Sequence, residues 1–357
     1  MKMEVNSVEI KALRELSDWP RASLAQLPTP MHRLKNFAEH LGGLDLWIKR
    51  DDLTGLAGGG NKTRKLEFLI GDAISKKHDV LVTVGAIQSN HTRQTAAAAA
   101  KLGMRCALMH AGWTEDSGPF YREAGNILYS KLMGAELYED TVKRPIEDET
   151  PLDDLVQHLK DKGDNPYLIP GGASDHPLGG LGYVVCAAEI VEQAAAEGKQ
   201  FDYVVHCTGS SGTQAGLVAG FSALNVKTKV IGIPDDDETE IKKKRVRRIA
   251  NDTLELLGKS PVITESDIEI VVGDTGDYGI SDKDTFETIK LFASTEGLIA
   301  DPVYEGKAVR GLRQLVKENR FEKGSKVLLM HLGGEPATHG YANKYGEIKL
   351  KNIPSLK

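Results

Sequence analysis

The sequence is poor in cysteine and contains no long apolar run. Three cysteines, Cys106, Cys186 and Cys207, occur in 357 residues without a C-x-x-C pair, which argues against a disulfide framework or a cysteine-built zinc site. No stretch approaches the roughly 20 apolar residues of a membrane helix. The first 20 residues mix acids and bases and lack the pattern of a signal peptide. We therefore expect a cytoplasmic protein with reduced, mostly buried thiols and no membrane contact.

An excess of positive charge is also missing. Lys and Arg total 45 against 51 Asp and Glu, which gives a formal net charge of -6. Such a chain has no general attraction for nucleic-acid phosphates or anionic lipids, so neither is an expected partner. The 10 histidines show no H-E-x-x-H or similar spacing, so no metal site is predicted. What the sequence does contain is enough chain for a large core, and 37 glycines that are unevenly placed.

Short apolar or β-branched runs alternate with segments of helical period from Leu44 onward, which is typical of an α/β protein with mainly parallel strands. Strands are predicted at Leu44–Lys49, Val80–Val84, Cys106–His110, Tyr167–Ile169, Tyr203–Cys207, Lys229–Ile233 and Lys326–Met330. Helices are predicted at Lys62–Ser75, Asn90–Leu102, Tyr121–Leu132, Leu152–Lys160, Gly179–Ala194, Thr213–Leu224, Ile241–Leu257, Lys283–Ser294 and Gly306–Lys317.

Glycine-rich joints bracket the middle of the chain. Between them, residues 65–178 contain three strand–helix units in succession. We therefore predict a small inserted α/β domain at 65–178 and a discontinuous large domain made of residues 1–64 and 179–357.

Residues 235–248 form an acidic block followed by a basic block. A solvated surface helix accounts for both, because acids favour the N-terminal end of a helix and i,i+4 pairs support it. A nuclear-localisation signal or polyanion-binding patch is the alternative, although the adjacent acids would repel the same partner.

One glycine cluster, Gly58–Gly60, leads through Asn61 into Lys62 at the start of a predicted helix. The segment is similar to a phosphate-binding P-loop, but Asn61 breaks the required spacing. What remains is a lysine whose pKa is lowered by the positive helix end and by burial, as a Schiff-base lysine requires. An exposed lysine at a helix start is the alternative interpretation.

A second cluster, Thr208–Gly216, follows a predicted strand and overlaps the start of a helix. Free backbone N–H groups and hydroxyls at a helix N-terminus form a site suited to one phosphate. The G-x-G-x-x-G spacing of a dinucleotide site is missing. A tight strand-to-helix turn without a ligand is the alternative.

Three further polar turns occur at Gln88–Arg93, Asp301–Lys307 and His331–Gly334. Since the carboxyl ends of parallel strands meet at one crevice, these turns are candidates for a common site. Ser89 is well placed as a helix N-cap whatever else it does. Ordinary capped turns are the alternative interpretation of all three.

Together, these segments resemble the 1-aminocyclopropane-1-carboxylate (ACC) deaminase and D-cysteine desulfhydrase family. The similar stretches are Gly59–Phe68, Gln88–Gln94, Gly172–Gly182, Gly212–Gly216 and Asp301–Lys307. The resemblance, which runs from about Leu27 to Tyr341, implies a tryptophan-synthase β-like fold (PLP fold type II). That fold has two open, twisted, mainly parallel sheets flanked by helices. The resemblance also implies pyridoxal 5'-phosphate as cofactor, a small amino acid as substrate and a homodimer.

The same resemblance assigns roles to individual residues. It implies that the catalytic residues are Lys62, Ser89, Tyr278 and Tyr304. It implies that the cofactor is held by Lys62 as a Schiff base, by Asn90 at the ring hydroxyl, by Ser210, Ser211, Gly212 and Thr213 at the phosphate, and by Glu305 and Leu332 near the ring. It implies that the substrate contacts Ser89, Asn90, His91 and Trp113.

Two positions bear on the substrate. Family members that deaminate ACC carry Glu and Leu where desulfhydrases and cysteate sulfo-lyases usually carry Ser or Thr, and this chain has Glu305 and Leu332. The resemblance therefore favours an ACC deaminase that yields 2-oxobutanoate and ammonia. The alternative is a D-cysteine desulfhydrase or cysteate sulfo-lyase that yields pyruvate, ammonia and sulfide or sulfite. Leu24–Pro30 and Trp47–Gly55 look closer to those lyases, and His91 replaces a Gln of bacterial deaminases. A non-catalytic ligand-binding protein is a third class.

Overall fold

The structure is a computed structural model that describes residues 6–115, 117–142, 148, 150–236, 239–271 and 276–351. In these residues the strands are β1 (Met31–Arg33), β2 (Asp45–Arg50), β3 (Val80–Gly85), β4 (Arg105–Ala111), β5 (Glu136–Asp140), β6 (Pro166–Leu168), β7 (Tyr203–Thr208), β8 (Lys229–Pro234), β9 (Glu269–Ile270) and β10 (Lys326–His331). The α-helices are α1 (Ser7–Glu15), α2 (Lys35–His40), α3 (Lys62–Ser75), α4 (Asn90–Leu102), α5 (Gly125–Leu132), α6 (Thr150–Asp161), α7 (Pro177–Ala196), α8 (Gly212–Ala223), α9 (Thr239–Leu256), α10 (Lys283–Glu296), α11 (Glu305–Lys317) and α12 (Glu335–Gly340).

The strands form two sheets. The larger has the order β1-β2-β10-β7-β8-β9, and the smaller has the order β5-β4-β3-β6. All described pairings are parallel except that of β1 with β2. The expected α/β architecture with two mainly parallel sheets is confirmed. The whole smaller sheet lies inside residues 65–178, the segment for which we propose an inserted domain.

The central strands are buried on both faces because helices cover them. Every residue of β3 and β7 is buried, which explains why these strands are mostly apolar and do not alternate between apolar and polar residues. Helices α7 and α8 pack closely against each other. A Cβ on Gly216 would lie 2.4 Å from the carbonyl oxygen of Gly180. Because Gly216 has no Cβ, the first turns of α8 can approach the backbone of α7 closely.

Two helices begin and end at the residues predicted from the sequence, namely α3 and α4. Other elements differ. α5 begins at Gly125 and not at Tyr121, because Gly125 has a φ of 66° that a continuing helix cannot adopt. The sequence prediction missed three strands that are short or polar, β1, β5 and β9, and three helices, α1, α2 and α12.

The acidic and basic blocks of residues 235–248 are only partly the solvated helix that we expected. Lys242 is buried, and its Nζ lies 3.2 Å from Asp235 and 2.8 Å from Asp236. The expected surface pairs do occur further along α9, where Arg248 lies 3.7 Å from Asp252. The prediction of a solvated helix was wrong for Lys242, because Asp235 and Asp236, which follow β8, lie against the first turn of α9.

The structure also bears on the thiols, on membrane-spanning helices and on metal sites. All three cysteines are free and buried, as expected. None of the described helices combines the length and apolar character needed to cross a bilayer. The described residues also contain no group of three or more His, Cys, Asp or Glu side chains arranged to hold a metal ion.

Candidate active site

The carboxyl ends of strands from both sheets open onto one cavity of about 180 Å³. The turns after β3, β7, β8 and β10 and the start of α3 all line it. The structure brings twelve of the thirteen predicted site residues to this cavity: Lys62, Ser89, Asn90, His91, Trp113, Ser210, Ser211, Thr213, Tyr278, Tyr304, Glu305 and Leu332. The exception is Gly212, which packs behind the lining, where an added Cβ would lie 2.8 Å from Ser174 Oγ.

Lys62 is held at the cavity by the glycine turn before it. Gly59 has a φ of 66°, and a Cβ on it would lie 1.7 Å from the carbonyl oxygen of Asp52, so only glycine fits this turn. The backbone N–H of Asn61 donates to the carbonyl oxygen of Leu332 at 2.9 Å. Lys62 is half-buried, and its Nζ lies 5.2 Å from the ring centre of Tyr304.

The electrostatics of Lys62 suit a reactive amine. Burial lowers the pKa of Lys62, while Cys207 and the acids Asp235, Asp301 and Glu305 oppose that shift. The amine makes no ion pair with the described residues. A lowered pKa increases the fraction of neutral amine, which is the form that attacks a carbonyl.

The turn after β7 has the chemistry of a phosphate site. Ser211 has a φ of 74°, and its side chain accepts no hydrogen bond from the start of α8. No side chain of the N-cap residue therefore covers the first N–H groups of this helix. The hydroxyls of Thr208 and Ser211 are buried and have no hydrogen-bond partner among the described residues. Buried hydroxyls are normally paired. These residues therefore fit an anion with several acceptor oxygens, such as a phosphate.

Lys65 belongs to the same end of the cavity and was missed by the sequence analysis. Its buried Nζ donates to Ser174 Oγ at 2.8 Å, and Ser174 Oγ lies 2.7 Å from Ser210 Oγ. Burial and the charge of Lys62 lower the pKa of Lys65 well below its usual value. An anion bound at Ser210 would favour the charged form of Lys65 and so raise its pKa again, against burial and the charge of Lys62. The i,i+3 spacing from Lys62 could have placed both lysines on one helix face.

Glu305 lies at another wall of the cavity, and no lysine or arginine among the described residues forms an ion pair with it. Its Oε1 is buried without a hydrogen bond among the described residues. Burial and Asp301 raise the pKa of Glu305 well above its usual value, while the Leu332 N–H opposes the shift. A buried carboxyl in this state fits a nitrogen that can donate or share a proton, such as that of a pyridine ring.

His331 does not supply that partner. Its Nδ1 lies 3.9 Å from Glu305 Oε2, which would be an ion pair only for a protonated imidazole. However, Nδ1 accepts from the Gly333 N–H at 3.3 Å, and Nε2 donates to the carbonyl oxygen of Ile299 at 3.1 Å. Burial lowers the pKa of His331, so the neutral ring is the state that we assign.

Ser89 caps α4, as predicted. Its Oγ accepts from the backbone N–H groups of His91 at 3.2 Å and Thr92 at 3.3 Å. The hydroxyl hydrogen of Ser89 is not used by these bonds, so the cap leaves a donor for a ligand.

His91 presents an acceptor. Thr83 Oγ1 donates to the carbonyl oxygen of Ile169 at 2.7 Å, so it must accept from His91 Nε2, also at 2.7 Å. The proton therefore lies on Nε2, and the buried Nδ1 has no partner among the described residues. Burial and the charges of Lys62 and Lys65 lower the pKa of His91 well below its usual value.

Two tyrosines face each other beside Lys62. The hydroxyl oxygens of Tyr278 and Tyr304 are 2.6 Å apart. Burial raises the pKa of both phenols, so both are neutral near pH 7. Trp113 packs edge-on against Tyr278 at 6.2 Å between ring centres, and its Nε1 is buried with no partner in the described part of the chain. When one phenol of the Tyr278–Tyr304 pair gives its proton to a base in the cavity, the other can reprotonate it through this hydrogen bond.

The family model of the pyridoxal-phosphate dependent enzymes matches residues 22–333 of this chain. The chain belongs to this family. Pyridoxal phosphate is its cofactor, and the unpartnered groups at Ser211 and Glu305 fit the phosphate and pyridine ends of that molecule. The chain is 44% identical over 336 residues to a 1-aminocyclopropane-1-carboxylate deaminase of Burkholderia vietnamiensis, covering 92% of this enzyme and 98% of the relative. A 1-aminocyclopropane-1-carboxylate deaminase of Ralstonia pickettii is 43% identical over 330 residues, with coverages of 92% and 98%.

Solved structures agree with the fold of this pyridoxal-phosphate-dependent enzyme. A crystal structure described as an ACC deaminase homologue matches with a TM-score of 0.84 and 38% identity, covering 94% of this chain and 98% of the other. An O-ureido-L-serine synthase matches with a TM-score of 0.62 and 17% identity, covering 88% of this chain and 92% of the other. The second likeness concerns the fold alone.

Proposed function

We propose that this pyridoxal-phosphate-dependent enzyme opens the cyclopropane ring of ACC and releases 2-oxobutanoate and ammonia. The observation that carries the proposal is the buried, unpartnered Oε1 of Glu305 in the same cavity as Lys62. A carboxylate beside the pyridine nitrogen keeps it protonated and makes the ring a stronger electron sink. ACC has no α-hydrogen, so a carbon–carbon bond must break, and that step needs a strong sink. The named relatives support the same substrate.

The residues proposed to hold the cofactor occupy separate parts of the cavity. Lys62 would form the covalent link, and Asn90 would bind the ring oxygen. The phosphate would lie at Ser210, Ser211, Thr213 and the N–H groups near Gly212, with the charge of Lys65 behind Ser174. Glu305 and Leu332 would contact the ring. When bound, pyridoxal phosphate supplies the electron sink for the bond-breaking step.

The remaining residues are proposed to orient the substrate and move protons. The Ser89 hydroxyl hydrogen and the Trp113 N–H are donors that suit a substrate carboxylate. His91 Nδ1, which has no partner among the described residues, can accept a hydrogen bond from the substrate or from a water molecule. Lys62 and the Tyr278–Tyr304 pair would move the protons: a neutral lysine amine can take up a proton, and a neutral phenol can give one and be reprotonated. The lowered pKa of Lys62 and the raised pKa values of the two phenols increase the neutral fraction of each group.

Product analysis tests this function. The holoenzyme is incubated separately with ACC, D-cysteine and cysteate, and 2-oxobutanoate, pyruvate, sulfide and sulfite are measured. We expect 2-oxobutanoate and ammonia from ACC. Release of sulfide or sulfite with no 2-oxobutanoate would overturn the proposal in favour of the carbon–sulfur lyase. One residue favours the carbon–sulfur lyase as the second candidate function: this chain has His91 where bacterial deaminases carry Gln.

The paired substitution Glu305→Ser with Leu332→Thr sharpens the substrate assignment. It removes the carboxyl partner proposed for the pyridine nitrogen, so the ratio of ACC to D-cysteine turnover should fall. Leu332→Thr alone is the control, because it changes the cavity wall and keeps the carboxyl. An unchanged ratio in the double variant would contradict the role given to Glu305.

We propose two further properties of the protein, its oligomeric state and its location. The resemblance to the family suggests a homodimer, which sedimentation analysis tests. The three free, buried thiols suit a reducing compartment such as the cytoplasm. Fractionation of the source cells tests that location.

A further inference from the structure

Asn126 lies behind the cavity wall and contacts Asn90. We propose that Arg93, Asn126 and Asn90 form a hydrogen-bonded relay that directs a buried positive charge toward the ligand oxygen bound by Asn90. Asn126 is a positioning residue in this relay. The inference rests on the proposed function, because it takes that oxygen to be the ring hydroxyl of pyridoxal phosphate.

The direction of each hydrogen bond in the relay is fixed by chemistry. Arg93 Nε donates to Asn126 Oδ1 at 2.8 Å, and a guanidinium has no acceptor. Asn126 Nδ2 then donates to the carbonyl oxygen of Gln88 at 2.8 Å and to Asn90 Oδ1 at 2.7 Å. The side-chain oxygen of Asn90 is therefore occupied. Its Nδ2 remains as the donor available to a ligand in the cavity that Asn90 lines.

The positive charge at the start of the relay has no acid beside it. Arg93 is fully buried and forms no ion pair with any residue in the described part of the chain. Burial lowers the pKa of Arg93 to about 10, opposed by Tyr129, so the guanidinium stays protonated near neutral pH. Hydrogen bonds in series polarise one another at low dielectric. The uncompensated charge thus makes the Asn90 amide a stronger donor and favours an anionic oxygen as its partner.

The relay is held rigidly from two sides. Gln88 Oε1 accepts the Asn126 N–H at 3.0 Å, and a Cβ on Gly125 would lie 2.4 Å from the carbonyl oxygen of Pro336, which fixes the start of α5. Arg93 Nη1 also donates to the carbonyl oxygen of Ala57 at 2.7 Å, in the turn that leads to Lys62. The same guanidinium therefore supports both the ring-oxygen donor and the lysine loop.

Asn126→Asp tests the relay because an ionised Asp still accepts from Arg93 but cannot donate to Asn90. Two probes are titrated by calorimetry: 4-deoxypyridoxine 5'-phosphate, which lacks the aldehyde that reacts with lysine, and its 3-O-methyl ether, which lacks the ionisable ring oxygen. We expect the variant to bind the first probe about tenfold more weakly, the size of one charge-assisted hydrogen bond, and the ether nearly as well as wild type does.

Ser130→Ala is the matched control. Ser130 Oγ donates to the backbone carbonyl of Asn126 at 3.0 Å and takes no part in the relay, so this variant should bind both probes as wild type does. Equal weakening of the two probes by Asn126→Asp, or no weakening, would overturn the inference. If that variant does not fold, Arg93→Gln keeps a donor without the charge and should show the same selectivity. Wild-type protein that binds neither probe would instead overturn the proposed function.

Discussion

Helix α3 contributes one residue to each of two charge clusters, and these two residues, Lys62 and Arg64, are two positions apart. The paired cluster contains Lys49, Asp51, Arg64 and Glu189, and the cavity cluster contains Lys62, Asp301 and Glu305. In the paired cluster, Arg64 makes hydrogen bonds of 2.8 to 3.1 Å to both carboxylates, and Lys49 lies 2.9 Å from Glu189. In the cavity cluster, Glu305 Oε1 has no partner among the described residues, and Lys62 makes no ion pair with them.

The pKa shifts separate the two clusters in the same way. Burial alone would raise the pKa of Glu189, but Arg64 and Lys49 hold it to about 2. Burial raises the pKa of Glu305, and Asp301 adds to the shift. Similar residue types at similar depth thus give a stabilising network in one place and a reactive site in the other. Completeness of pairing, more than burial, distinguishes them.

The largest expected effect comes from the cavity cluster. Lys62→Ala should abolish the visible absorbance band of the bound cofactor and reduce ACC turnover by about 1,000-fold or more. Since Lys62 makes no ion pair, the free energy of unfolding should change by less than about 1 kcal/mol. Absorbance, product assay and urea unfolding measure the three quantities. A variant that keeps both band and turnover would contradict the assignment of Lys62.

The paired cluster should respond in the opposite way. Arg64→Met leaves Asp51 and Glu189 buried with one cation fewer, so the free energy of unfolding should fall by about 3–5 kcal/mol. Holoenzyme that still folds should keep its visible band, because the side chain of Arg64 lies outside the cavity lining. Denaturant unfolding measures the free energies of unfolding of Arg64→Met and Lys62→Ala for comparison. Loss of the band with unchanged stability would show that the division into two clusters is wrong.

The two glutamates should give opposite pH dependences in cofactor-free protein. The folded pKa of Glu189 is below the ordinary value of 4.5, so its stabilisation is present above that value and is lost as pH falls toward about 2. The folded pKa of Glu305 is raised, so its favourable contribution is present below the ordinary value and is lost as pH rises through the folded pKa.

Urea unfolding of Glu189→Gln and Glu305→Gln across pH measures this difference. The stability deficit of Glu189→Gln relative to wild type should shrink as the pH is lowered. Glu305→Gln should gain stability relative to wild type as the pH is raised. Parallel pH profiles for the two variants would mean that Glu305 has a partner that neutralises its charge.

The smallest expected effect concerns the α4 cap. Ser89→Ala should lower the free energy of unfolding by about 1 kcal/mol, the usual cost of losing an N-cap. If the hydroxyl hydrogen also binds the substrate carboxylate, KM for ACC should rise in the same variant. Ser294→Ala is the control, since Ser294 is exposed and lies late in α10. An unchanged KM would mean that Ser89 caps α4 and does not bind the substrate.

The residues that the sequence analysis found share a local signal. Lys62 follows a glycine turn, Ser89 precedes a predicted helix, and Ser211 lies in a strand-to-helix joint, so spacing along the chain made them candidates. The family resemblance, and not the spacing, gave them their roles. The bounds of α3 and α4 were predicted for the same reason, because caps and helical period are local properties.

The elements and residues that were missed depend on tertiary contacts. β5 reads Glu-Leu-Tyr-Glu-Asp and gains its strand character only by pairing with β4 at a sheet edge. The contacts of Asn126 with Arg93 and of Lys65 with Ser174 join residues that are distant in sequence. No spacing rule along the chain reports such contacts. The burial of Lys242 was missed because two acids before α9 fold back onto it.

We propose that Lys62 of the cavity cluster carries the cofactor. Borohydride reduction of the holoenzyme fixes pyridoxal phosphate to the lysine that binds it, and peptide mass mapping then locates the label. We expect a single labelled lysine, Lys62, and no label on neighbouring Lys65 or on Lys49 of the paired cluster. A label on either of those lysines, or reduced protein without any label, would contradict this proposal.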